Sequence, residues 1–268
     1  MSKNALAVAV EALSWMAYTG IGERTALLKS SRQLQVNEAS DLRQAHKWIM
    51  ETNRFQNRLD WFITQTAPED GMKDVSHGIR SLLRILAYMK FVDSKPRADL
   101  ERTMSWGRQI IGWRTLLPYE QRIGRLVSGK PKRSTKQLSE YESLALETCH
   151  PPWYVQRLIT AFGRSFALNL LRRDLFPVST FARVNPLKTN RTNALVDGLH
   201  ATQLKNVDGV YILDRGADDR GRLASAGQIV IQDLGSIVAG LAAAPQPGKP
   251  SLMYVRLPAT RLVTSRPK

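Results

Sequence analysis

Apolar positions in the first half of the chain recur at helical intervals. Residues 3–18 (KNALAVAVEALSWMAY) are apolar on nearly every side, as suits a helix buried all round. Across 37–65, Leu42, Ala45 and Ile49, then Phe55, Leu59 and Phe62, stand three and four residues apart. In 79–92, Ile79, Leu82, Leu83, Leu86 and Met89 form one face, with Arg80 and Arg84 one turn apart on the other. Residues 96–116 repeat the pattern with Leu100, Met104, Ile110 and Ile111. Strand-like alternation is absent before about residue 178, so this half is predicted to be an all-α bundle.

The second half changes period. Residues 150–154 read His-Pro-Pro-Trp-Tyr, and a proline at the first helical position suits a helix start. Helices over about 152–162 and 164–174 are expected, ended by Pro177. FARVN (181–185) reads as a short strand closed by Pro186, and YILD (211–214) as another. Segment 227–244 (GQIVIQDLGSIVAGLAAA) reads as a strand turning into a helix, which PQPGKP (245–250) then breaks. The expected class is mainly α, with a small α+β module following the bundle.

Charge sharpens this picture. The chain of 268 residues has 39 basic and 23 acidic side chains, a net charge of +16. So basic a chain points to nucleic acid or an anionic surface. Residues 1–80 contribute only +1, residues 81–146 contribute +7 and residues 147–222 contribute +4. Self-repulsion in the central segment destabilises the fold unless a polyanion offsets it, so a polyanionic partner is expected and Arg80, Arg84, Arg97 and Arg102 are candidate phosphate contacts. SGKPKRSTK (128–136) reads either as an exposed linker or as a further RNA contact. No apolar run approaches the roughly 18 residues of a membrane span. Glu11 interrupts the apolar N-terminus, so no signal peptide is expected and a cytoplasmic location follows.

Other chemistry is sparse. Cys149 is the one cysteine, which excludes an internal disulfide and a cysteine-based zinc site, and it reads as a structural thiol. His46, His77, His150 and His200 have no metal-ligand spacing, so no metal is expected. Gly20-Ile21-Gly22 follows no strand and precedes no phosphate-loop lysine. No Ser/His/Asp set has a supporting nucleophile motif, and no catalytic residue is assigned.

HPPWYVQRLITAFG (150–163), FARVNPLKTNR (181–191) and QIVIQDLGSIVAGLAAAPQPGK (228–249) occur in an order and spacing that resemble the RsmB/Fmu (Sun)-type RNA cytosine-C5 methyltransferases. The resemblance covers about 146–250. It implies a NusB-like helical RNA-binding domain over 1–145, a small α+β pre-domain over 146–222 and the entry of a Rossmann-type methyltransferase domain over 223–250. It also implies methyl transfer from S-adenosylmethionine to carbon 5 of cytosine in ribosomal or transfer RNA. Such transfer needs a thiolate nucleophile, a glycine-rich turn for the cofactor and a base drawn out of its stack. Arg183 and Asn185 match the family's Arg-x-Asn element, either along the RNA path or bracing the catalytic domain, and Lys188 is a further RNA-binding candidate. Gln232, Asp233 and Ser236 match its Gln-Asp-x-x-Ser element and are expected to brace the cofactor domain.

The resemblance stops at PQPGK. A Val-Leu-Asp-Val-Cys-Ala-Ala-Pro-Gly-type loop should follow, but the chain reads PSLMYVRLPATRLVTSRPK, with no glycine after Gly248. Joining the third base of each codon to the first two of the next permits the missing motif. Met253 admits Asp, Met253 into Tyr254 forces Val, Tyr254 into Val255 admits Cys, and Ala-Ala-Pro-Gly is permitted thereafter. Residues 251–268 therefore read as an out-of-frame, disordered tail. On this reading the chain binds no S-adenosylmethionine and is the RNA-binding portion of a truncated enzyme, inactive alone. The alternatives are a free-standing NusB-like RNA-binding or antitermination factor, and one half of a split methyltransferase.

Overall fold

The computed structural model describes residues 1–66, 75–129, 138–176, 179–185, 187–188, 201–205, 207–213 and 220–242. The chain divides into two compact units, Met1–Phe176 and Pro177–Lys268.

The first unit is built around α1 (Lys3–Thr19), whose Ala5, Leu6, Val8, Ala9 and Ala12 are fully buried. Ser2 starts this helix: its Oγ accepts the Ala5 amide at 3.0 Å and donates to Asp41 at 2.6 Å. Gly20, at φ 70°, ends it in the left-handed conformation that glycine adopts without penalty. Around α1 pack α2 (Glu23–Gln33), α3 (Ala39–Arg54), α5 (His77–Phe91) and α6 (Arg97–Ile111). The core between them holds Trp48, Ile49, Leu82, Leu83, Ile85, Leu86 and Met89. Each such side chain contributes about 1.5–3 kcal/mol by leaving water. Helix α4 (Gln56–Thr66) lies against α5. Helix α7 (Trp113–Leu116) and a 3-10 turn (Leu117–Tyr119) lead into α8 (Glu120–Ser128), which closes the bundle on α5.

Three further helices complete this unit. Helix α9 (Glu140–Thr148) opens with a reciprocal cap between Ser139 and Glu142 and ends at Cys149, which takes φ 58°. Helices α10 (Pro152–Phe162) and α11 (Arg164–Arg173) form a hairpin turning at Gly163. Together the three bury Leu144, Ala145, Val155, Leu158, Ala167 and Leu171 in a small core of their own. This subdomain is tied to α4 by side chains that cap the end of α9. Asn57 donates to the carbonyls of Ala145 and His150 at 2.9 and 2.8 Å, and Arg58 donates to those of Leu146 and Glu147. Positions 145 and 146, on either side of the expected boundary, both lie within α9.

The second unit holds a four-stranded antiparallel sheet in the order β2-β3-β1-β4, built from β1 (Thr180–Val184), β2 (Ala201–Gln203), β3 (Val210–Leu213) and β4 (Ile229–Ile231). In register, Ala182 faces Tyr211 on one side and Ile231 on the other. Ala182, Leu213 and Ile229 pack with Leu223 of α12 (Arg220–Ser225). After β4 comes α13 (Leu234–Ala242). Residues 229–231, expected to enter a Rossmann domain, are part of the same sheet as 180–184, antiparallel to it. The tail at 251–268 lies outside the described residues.

Candidate nucleic-acid interface

Most cations of the central segment are engaged within the fold. Arg84 grips Asp60 of α4 through two bonds of 2.7 Å, and its side chain is only 14% exposed. This geometry is a cross-brace between α4 and α5. Arg80, half-buried on α5, donates to the Val75 carbonyl at 3.2 Å and has further interactions. Arg97 and Arg102 are exposed on α6 and each meets a carboxylate of its own helix, Glu101 at 2.7 Å and Asp99 at 3.6 Å. Pairs so exposed hold weakly and exchange readily for a phosphate. Arg108 forks onto Glu120 with two bonds of 2.7 Å, which holds the Glu120 carboxyl below its ordinary range. Lys90 points its ammonium at the end of α8, donating to the carbonyls of Leu126 and Val127 at 2.8 Å and to that of Gly129. The basic cluster Lys130, Lys132, Arg133 and Lys136 lies outside the described residues.

In the second unit, Arg183 is exposed in the middle of β1, on the face opposite buried Ala182. Lys188 is exposed just beyond the strand. Asn185 is a clamp: its amide donates to the Gly227 carbonyl at 2.9 Å, its Oδ1 accepts the Leu187 amide, and its backbone pairs with Gln228. It braces the sheet from within. The backbone of Gln232 donates to Phe181, again inside the sheet. Asp233 caps α13, its carboxylate accepting the amides of Gly235 at 2.9 Å and Ser236 at 3.4 Å. Through these bonds Gln232, Asp233 and Ser236 brace the second unit itself.

The structure also assembles a surface that periodicity and net charge did not single out. Residues 152–173, the α10–α11 hairpin, contain no acidic side chain and four arginines. Arg164 and Arg172 pair with Glu140 and Glu147 of α9. Arg157 and Arg173 are exposed and make no ion pair among the described residues. Beside them Trp153, Phe162, Phe166 and Phe176 are 58–69% exposed. Phe162 and Phe166 meet across the turn with ring centroids 5.7 Å apart. An open groove of about 500 Å³ runs along α11, lined by Phe166, Asn169, Leu170, Arg172, Arg173 and Phe176. The local sequence signal was the run of residues without a carboxylate, hidden inside a segment whose overall charge is modest.

Cys149 is half-buried, and burial pushes its thiol up from the ordinary value, opposite to what a nucleophile needs. His150 stacks on Tyr154 and sits 3.6 Å from Asp174. Among the described residues no cluster of histidine, cysteine or carboxylate could hold a metal, and no helix is long and apolar enough to cross a membrane. The described sheet is antiparallel throughout.

The crystal structure of PH0851 shares this fold: it superposes with a TM-score of 0.66 over 92% of the chain, at 17% sequence identity. The chain spans 57% of the length of that structure. No protein-family model and no curated protein matches the sequence.

Proposed function

We propose that this chain is the RNA-binding part of an RNA cytosine-C5 methyltransferase of the RsmB/Fmu kind, holding structured ribosomal or transfer RNA mainly through phosphates. The observation that carries the reading is the pair Arg157 and Arg173, without an ion pair among the described residues, on a hairpin with no carboxylate in a chain of net charge +16. The ordered motif blocks supply the methyltransferase half of the reading. S-adenosylmethionine is the methyl donor of the family the chain resembles, and none of the described residues is assigned to it.

Titration of the full chain with a structured RNA across about 50 to 200 mM salt tests the reading. Affinity is expected to fall steeply with salt. The double variant Arg157→Gln/Arg173→Gln is expected to flatten the log–log slope by about 1–2. Binding that is indifferent to salt would overturn the phosphate account.

A further inference from the structure

We infer that the groove along α11 is a stacking site for unpaired bases, so that this face takes single-stranded RNA rather than duplex. The inference rests on the RNA-binding reading and deepens it. Phe166, Asn169 and Arg173 lie three and seven residues apart, which puts them on one face of α11. Phe166 and Phe176 give the groove two exposed aromatic rings. Asn169 is exposed between them, and its amide both donates and accepts, as the edge of an unstacked base requires. Arg173 adds a guanidinium without an ion pair among the described residues. Aromatic rings beside available cations are the chemistry that holds single strands, because every base has a face to stack and every nucleotide a phosphate. The volume of about 500 Å³ is that of a small-ligand pocket.

A protein partner is the competing occupant, and charge argues against it. The groove's own lining has two arginines and no carboxylate, which suits a polyanion along its length better than the mixed charges of a protein surface.

The test compares three fluorescent probes against the full chain at low salt: a short oligouridine, an abasic oligomer of equal length, and an RNA duplex. Oligouridine is expected to bind roughly tenfold tighter than the abasic oligomer, the increment of about one stacked base. Phe166→Ala and Phe176→Ala are each expected to erase most of that difference and leave duplex binding unchanged. Phe166→Trp should retain it. Thermal melting checks that the variants fold. Equal affinity for oligouridine and the abasic oligomer would overturn the stacking site while leaving phosphate-driven RNA binding intact. So would a base-dependent increment that survives both alanine variants. If none of the probes binds, the RNA-binding reading falls with it.

Discussion

At the scale of single residues, the central arginines have carboxylate partners of very different exposure. Arg84 and Asp60 form a half-buried forked pair, and removing one partner leaves the other desolvated and alone. Arg84→Ala is expected to lower stability by about 1–3 kcal/mol, read by urea denaturation, with RNA affinity little changed. Tyr88 is buried on α5, and its phenol is pushed up to about 12 by burial, with the charges of Asp93 and Glu51 adding to it. A raised phenol contributes stability that is complete below the unfolded value near 10 and lost as pH rises toward 12. Tyr88→Phe should therefore flatten the alkaline limb of the stability profile. Glu120 behaves in the opposite sense. Its hydrogen bonds from Arg108 depress it, so the stability they contribute is present above the ordinary glutamate value of 4.5 and lost as pH falls through the lower folded value. Glu120→Gln should remove that part of the acid limb.

At the scale of elements, the ends of helices carry much of the specificity. The last carbonyls of α8 have no partner within their own helix, and Lys90 supplies three donors from α5. Burial lowers the ammonium below its ordinary value, yet the three carbonyls hold it in place. Lys90→Met is expected to cost about 1–3 kcal/mol and to speed amide hydrogen exchange at the end of α8, while α1 and α3 remain protected. Asn57 and Arg58 do the same for α9, fixing its C-terminal end against α4.

At the scale of the whole molecule, each unit has its own apolar core, and the helical unit holds two. Residues 1–176 alone are expected to fold and melt cooperatively, because among the described residues no core side chain of that unit comes from beyond Phe176. They should also keep salt-dependent RNA binding, since Arg157 and Arg173 lie within them. Calorimetry and an RNA titration of this fragment check both expectations.

By itself, the sequence determined where α1, α3 to α6, α10, α11, α13 and three of the strands run, but not α2, α8, α9 or α12. Periods of 3.6 and 2 are written into which side chains are apolar, so 3–18, 79–92, 152–162, 181–185 and 211–214 correspond closely to observed elements. It also showed that the chain is cationic. The antiparallel pairing of β4 with β1 was hidden, because a three-residue apolar strand reads alike in a parallel or antiparallel sheet. The place of α9 against α4 was hidden too, since Asn57 and Arg58 reach its backbone carbonyls across 88 or 89 residues of sequence. Which arginines are available to a ligand was decided only by tertiary structure. Asp60 stands 24 residues from Arg84 in sequence and within a hydrogen bond in space, while Arg157 finds no such partner among the described residues. Net charge adds along a chain, but a cation is available to a ligand only where folding brings it no carboxylate.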